Sequence, residues 1–141
     1  SGRWEPRPTV ATSSNAMDVS RPNNWPRAER LLADRGWTVE AESVSEAETK
    51  TALRALSELG YTGEPHGAVA YEALRRQLKP GEVGAFLCTA HPAKFAEAVE
   101  AVLGRSLELP PAIRTALARP NLSIRMAADP DALRAFLLSR A

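Results

Sequence analysis

Cysteine and histidine are scarce in this chain of 141 residues. Cys88 is its single cysteine, which excludes an intrachain disulfide framework and a zinc site built from several cysteines. The two histidines, His66 and His91, have no spacing to carboxylates that indicates a metal site, so we predict no bound metal. Cys88 has no base placed beside it in the sequence, and we interpret it as a small core residue rather than a nucleophile.

The chain also lacks an excess of positive or negative charge and has no long apolar run. Eighteen Lys and Arg residues against seventeen Asp and Glu residues leave a net charge of +1, which argues against a nucleic-acid partner. The longest apolar run, 85–88, is far too short to cross a membrane, and residues 1–6 contain no apolar signal core. With 44% hydrophobic residues the chain can still form a core. We therefore predict a soluble, cytoplasmic protein or part of one.

Two segments differ in composition. Residues 1–24 are rich in Pro, Ser, Thr and Asn and are predicted to be loop, with one possible short strand over 9–12. Residues 25–141 alternate between helical patterns and turns. The capping and periodicity signals predict helices over 25–35 (capped by Asn24), 46–59 (with a capping box of Ser45 and Glu48), 65–78, 93–103, a short stretch after Pro111, and 130–139 (capped by Asp129).

One segment reads as a strand. Residues 83–88 carry almost no polar side chain, which is typical of a parallel strand buried on both faces. Such a strand needs neighbours, and the only other candidates are 9–12 and a weak pattern over 122–126. Either the chain is a helical domain, or it is one end of a larger α/β protein; the pattern favours the α/β protein. The predicted buried stripe of the third helix is Val69, Ala70, Ala73 and Leu74.

Three polar clusters interrupt the helical background. The first is the proline-rich loop 14–27, whose amides and hydroxyls suit an anion or merely cap turns. The second is Glu64-Pro65-His66-Gly67 at a helix start, either a proton-transfer pair or a helix cap. The third follows the predicted strand, at Thr89 to Lys94, where ligands lie in open α/β sheets; satisfied turn amides would explain it equally well.

These three clusters together resemble the threonine synthases of bacteria and fungi. The matching runs are Ser14-Asn15-Ala16-Met17-Asp18-Val19 with Pro22 to Arg27, Leu59-Gly60-Tyr61-Thr62 with Glu64 to Tyr71, and Thr89-Ala90-His91-Pro92-Ala93-Lys94-Phe95. They occur in order, and the resemblance covers about residues 4–141. It implies a fold-type II enzyme, a carbon–oxygen lyase acting on phosphates, which uses pyridoxal 5′-phosphate to convert O-phospho-L-homoserine and water into L-threonine and phosphate.

The resemblance also implies roles for particular residues. Thr89 matches the hydroxyl that meets the pyridine nitrogen of the cofactor. Glu64 and His66 match a motif at the cofactor's edge and are carried over as lining residues. Asn15, Asp18 and Arg27 are expected on the substrate side without an assigned role.

The chain departs from the family in length. The lysine that forms the Schiff base and the glycine-rich phosphate cradle belong to an N-terminal part absent here, and Lys50, Lys79 and Lys94 match neither. We therefore expect residues 25–141 to be the C-terminal α/β portion of the catalytic fold, inactive without the remainder of the synthase chain. The alternative is a non-catalytic helical module that binds a metabolite or a partner.

Overall fold

The computed structural model describes residues 8–20 and 22–140 and divides the chain into two compact units. The first extends to Glu108, and the second begins at Leu109. The predicted loop character of the N-terminal segment is seen in 8–20 and 22–24, where the backbone forms one short 3-10 helix, Asn15–Met17. No strand forms at 9–12 within that described stretch.

Helix α1, Trp25–Arg35, starts and stops where the sequence predicts. Pro26 stands in its first turn, and Gly36 ends it with φ of 62°, a left-handed conformation that favours glycine. Asn24 precedes the helix, but its side chain does not cap it, because its amide oxygen accepts a hydrogen bond from Arg27 instead. No side chain of α1 is buried.

Helix α2, Glu46–Glu58, has the predicted capping box. The Ser45 hydroxyl accepts a hydrogen bond from the amide of Glu48, and the Glu48 carboxylate accepts one in return from the amide of Ser45. These bonds satisfy amides that a helix start leaves unpaired. The Ser45 hydroxyl also donates to the Glu48 carboxylate at 2.6 Å, and this bond is the largest cause of the lowered pKa of Glu48, followed by the bond from the Ser45 amide.

Helix α3, Pro65–Gln77, presents a different face to the core from the one predicted. The predicted stripe Val69, Ala70, Ala73 and Leu74 is only half-buried, and the buried residues are Pro65, Gly67, Ala68 and Glu72. The face that packs inward is therefore turned by one residue. The apolar pattern missed this because Glu72 is held by Arg75 and Arg76, which satisfy its charge at 3.0 Å.

The core lies between α2 and α3. It is formed by Ala52, Leu53, Leu56 and Ala68, with Tyr71, Phe86 and Val102 packed against it from partly buried positions. A 3-10 helix, Pro92–Phe95, leads into α4, Ala96–Leu103, whose Val99 is fully buried and which ends at Gly104 as predicted. The helices α2, α3 and α4 thus form a small packed body.

The predicted buried strand over 83–88 is wrong. These residues have no regular secondary structure, and Val83 is 96% exposed while Leu87 is 81% exposed. A strand exists only where a neighbouring backbone completes its hydrogen bonds, and the apolar run alone could not supply one. The α/β class predicted for the chain is therefore not seen in the described residues, which are helical.

The second unit contains α5, Pro111–Leu117, and α6, Pro130–Leu138. Asp129 caps α6 as predicted, since its carboxylate accepts hydrogen bonds from the amides of Asp131 and Ala132. The possible strand over 122–126 does not form, and neither helix has a buried residue. Among the described residues, no helix has the length and hydrophobicity needed to span a membrane.

Candidate functional site

A cavity of about 670 Å³ opens beside Thr89. Thr89 follows segment 83–88, and its side chain is exposed to this space. The wall combines hydroxyl, thiol, imidazole, guanidinium and carboxylate groups with apolar ones: Tyr61, Thr62, Cys88, Thr89, Ala90, His91, Pro92, Arg105, Leu107 and Glu108. All of these residues belong to the first unit.

Cys88 lies on the cavity wall and is exposed, so its prediction as a core residue is wrong. Its thiol lies near the hydroxyl of Tyr61 and is the largest cause of a raised pKa for Tyr61, followed by burial. Behind it lies Gly67, where an added Cβ would be 3.0 Å from the Cys88 sulfur. The glycine at the start of α3 thus lets the cavity wall pack closely against that helix.

His91 is held in one tautomer. Its Nδ1 accepts a hydrogen bond from the amide of Ala93 at 3.1 Å and so caps the 3-10 helix. In the neutral imidazole the proton must then be on Nε2, which can donate a hydrogen bond. Arg105, also on the wall, donates to the Thr62 hydroxyl at 2.8 Å.

Sequence reasoning did not single out Tyr61 or Arg105 as site residues. Tyr61 stands in the second of the matching runs, so a signal for it existed. For Arg105 the sequence contains none, because its place at the cavity depends on how the loop after α4 folds back.

Glu64 and His66 form a tight pair at the start of α3. The Glu64 side chain is 1% exposed and accepts hydrogen bonds from the amides of His66 and Gly67, both at 2.8 Å, and from His66 Nδ1 at 2.6 Å. The predicted cap is therefore present, and the same carboxylate contacts the imidazole; a role of the pair in proton transfer stays a prediction. His66 Nε2 is buried without a hydrogen-bond partner in the described residues, and its ring contacts Phe95 edge to face.

Asp18 braces its own loop. Its carboxylate accepts hydrogen bonds from the hydroxyl of Thr12 at 2.6 Å and from the Thr12 amide at 2.9 Å. These bonds, the hydroxyl first, lower the pKa of Asp18, and the charge of His66 adds a smaller effect. Asp18 is thus within electrostatic reach of the Glu64–His66 pair.

The remaining predicted residues lie elsewhere. Asn15 lines a second cleft, of about 620 Å³, between its 3-10 helix, α2 and α4. Arg27 is exposed on α1, donates to Asn24, and lines neither cavity. The structure therefore brings Thr89 close to Cys88 and the start of α3, and it does not bring Arg27 to them.

Comparisons with known proteins agree on one class. A family model described as "Threonine synthase, C-terminal" matches residues 67–137. The threonine synthase of Serratia marcescens is 53% identical over 98% of this chain and 33% of that protein, and the threonine synthase of Escherichia coli (strain K12) is 52% identical over the same shares. The chain thus spans about a third of the length of the curated relatives it matches.

Solved structures give the same result. The crystal structure of threonine synthase from Escherichia coli superposes with a TM-score of 0.92 at 51% identity, covering 99% of this chain and 33% of that one. A threonine synthase from Brucella melitensis, described as bound to PLP, has a TM-score of 0.64 at 27% identity over 85% of this chain and 32% of that one. The chain therefore has the fold of the matching third of threonine synthases, and the family model places that third at their C-terminal end. The chain belongs to the threonine synthase family.

Proposed function

We propose that this chain is the C-terminal portion of a synthase that converts O-phospho-L-homoserine and water into L-threonine and phosphate with pyridoxal 5′-phosphate. The observation that carries the proposal is Thr89, whose hydroxyl stands on the wall of a cavity of about 670 Å³. It is supported by relatives named threonine synthase and by one neighbour whose description says that it binds the cofactor. A cytoplasmic location stays a prediction from the sequence.

The residues around Thr89 fit part of the cofactor. A hydroxyl is the kind of donor that meets an aromatic nitrogen without transferring a proton, and apolar atoms of Pro92 and Leu107 suit a flat ring. The cofactor, when bound, supplies an electron sink for carbanion chemistry. The chain's own residues would bind and orient the cofactor. Thr89 would hold its ring nitrogen, while Glu64 and His66 stiffen the start of α3 behind the cavity wall.

The chain offers no complete site by itself. Val83 and Leu87 expose their side chains in the irregular segment that leads directly to Thr89. Burying such side chains would stabilise a complex by roughly 1.5–3 kcal/mol each. We therefore infer that the remainder of a synthase chain covers this segment and contributes the cofactor's lysine. These exposed side chains favour the enzyme portion over the alternative of a self-contained binding module.

The role of Thr89 is tested with Thr89→Val and Thr89→Ser in the complete enzyme. Removing the hydroxyl should lower kcat about tenfold to a hundredfold, because one hydrogen bond at the reacting ring is lost, while Thr89→Ser retains most activity. The absorbance of the bound cofactor should shift in Thr89→Val and not in Thr89→Ser. If Thr89→Val retained the activity and the spectrum of the wild type, Thr89 would not be a cofactor-binding residue.

The incompleteness of the chain is tested without the rest of the enzyme. The chain is titrated with pyridoxal 5′-phosphate, reduced with borohydride and analysed by intact mass. We expect no stoichiometric adduct. A single specific adduct on Lys50, Lys79 or Lys94 would show that the chain holds cofactor alone, contrary to the proposal.

A further inference from the structure

Gly67 stands in the first turn of α3, at a position where the backbone does not require glycine. Its φ lies outside the left-handed region, unlike that of Gly36 or Gly104, so an alanine could adopt the same conformation. Helices favour alanine over glycine as well. Because Gly67 is buried, what the missing side chain provides here is space.

The space beside Gly67 is occupied by the side chain of Cys88. A Cβ added to Gly67 would lie 3.0 Å from the Cys88 sulfur, 3.8 Å from the Cys88 Cβ and 3.4 Å from Glu64 Oε1. Non-bonded contacts are most favourable at about 3.5–4.0 Å between carbon atoms, so the contact with the larger sulfur atom is repulsive. The Glu64 carboxylate is fixed by three hydrogen bonds, and the thiol is therefore the group that has to move.

Either movement of the thiol affects the cavity. Cys88, Thr89 and Tyr61 all line it, and the Tyr61 hydroxyl lies near the thiol. A rotation about the Cα–Cβ bond of Cys88 turns the sulfur toward the space that the cofactor needs under the proposed function. A shift of the Cys88 backbone moves Thr89 instead, because a planar peptide bond joins the two residues.

We propose that Cys88 is a positioning residue whose side chain, packed on Gly67 and beside Tyr61, sets the place of the Thr89 hydroxyl at the cavity. The proposal rests on the proposed function for what Thr89 holds. The thiol takes no part in the reaction and acts through its size alone. A residue without a Cβ at position 67 and a side chain of the size of cysteine at position 88 are complementary, so a change in one can be offset by a change in the other.

The test is a double-mutant cycle of Gly67→Ala and Cys88→Ala in the complete enzyme. Gly67→Ala should weaken the binding of pyridoxal 5′-phosphate about tenfold, a usual cost of overpacking, and should shift the absorbance of the bound cofactor. In the double variant the added Cβ meets no sulfur. The effect of Gly67→Ala on cofactor binding, measured against Cys88→Ala, should then fall below about twofold.

A second measurement needs no cofactor. In NMR spectra of the 141-residue chain, the Thr89 amide signal should shift in Gly67→Ala. In the double variant it should return to its position in Cys88→Ala. Recovery on removal of the sulfur distinguishes positioning through Cys88 from a general disturbance of α3.

Gly63→Ala is the matched control. A Cβ added to Gly63 would lie 3.1 Å from Leu56 Cδ1, so the crowding is similar, but it falls on the α2–α3 core and not on the cavity wall. Gly63→Ala should lower the urea midpoint and leave cofactor affinity unchanged. Cys88→Ala should not restore its stability.

Two results would overturn the proposal: a wild-type Thr89 signal and cofactor affinity in Gly67→Ala, or equal effects of Gly67→Ala with and without the sulfur. Should Gly67→Ala alone fail to fold, the double variant decides. A folded double variant with the Thr89 signal of Cys88→Ala supports the proposal, and an unfolded one contradicts it. If Thr89→Val loses activity as expected while the cycle is additive, only the positioning role of Cys88 fails and the proposed function stands.

Discussion

The first and second units of this chain form helices by the same local signals but differ in what those helices bury. Glu64 caps α3 and Asp129 caps α6, each through two backbone amides. Yet α2, α3 and α4 enclose fully buried side chains, whereas no described residue after Leu109 is buried. Caps therefore decide where helices begin, and packing decides which of them have intrinsic stability in this chain.

The largest effect is expected from a substitution that creates a cavity in the core of the first unit. Leu53 is 2% exposed at the centre of the α2–α3 contact, so Leu53→Ala should lower the free energy of unfolding by about 2–5 kcal/mol. Leu137→Ala is the matched control, because Leu137 is 59% exposed on α6, and it should change stability by less than about 0.5 kcal/mol. Urea unfolding followed by circular dichroism measures both. Equal losses would show that the second unit has a core of its own.

The two caps give the next comparison. Glu64→Ala removes a buried carboxylate that accepts three hydrogen bonds, and it should cost about 2 kcal/mol because it also leaves His66 unpaired. Asp129→Ala removes an exposed cap and should cost about 1 kcal/mol or less. The measurement is again the urea midpoint. If Asp129→Ala proved as costly as Glu64→Ala, burial would not be what separates the two helices.

Acidification should lower the stability of the first unit because it protonates Glu72. The ion pairs with Arg75, and then Arg76, hold the pKa of Glu72 below its ordinary value of 4.5. A carboxylate whose pKa is lower in the folded state stabilises it fully above the ordinary value, and that contribution is lost as the pH falls through the folded pKa. Asp18, with its lowered pKa, acts in the same direction.

The experiment compares Glu72→Gln with wild type from pH 7 to pH 3. The variant should be less stable at pH 7, and the difference should shrink as the solution is acidified below about pH 4.5, since wild type then loses the same charge. Glu58→Gln, at the exposed end of α2 and without an ion pair in the described residues, is the control. A difference that stays constant with pH would mean that Glu72 acts by packing alone.

Local structure was largely predictable from the sequence because its causes are local. The capping box at Ser45, the stop at Gly36 and the cap at Asp129 each depend on residues within one turn, and the structure confirms all three. The strand over 83–88 was not predictable in the same way. Its apolar run predicted burial, but whether a strand forms there depends on backbone from elsewhere, which no local pattern contains.

The candidate site shows the same division. Thr89 and the Glu64–His66 motif were identified from the sequence, and their roles stay predictions. The contact of Cys88 with Gly67 and Tyr61, and the convergence of Asn15 with Lys50 and Lys94, required the fold. Residues that meet although they are far apart in the sequence leave no trace in spacing or periodicity, which is why the sequence alone predicts Cys88 in the core.

The smallest effect is expected where the first unit resembles the second. Helix α1 buries no side chain, and its clearest side-chain interaction is the pair of Arg30 and Asp34, joined at 2.9 Å with side chains 80% and 55% exposed. Exposed pairs four residues apart contribute about 0.3–0.5 kcal/mol, and here Asp34 also sits unfavourably near the negative end of the helix dipole. Asp34→Ala should therefore change the free energy of unfolding by less than about 0.5 kcal/mol, and 1 M salt should abolish the difference. A loss above about 1 kcal/mol that resists salt would mean that α1 is anchored by this pair, and burial would no longer explain why the helices of this chain differ.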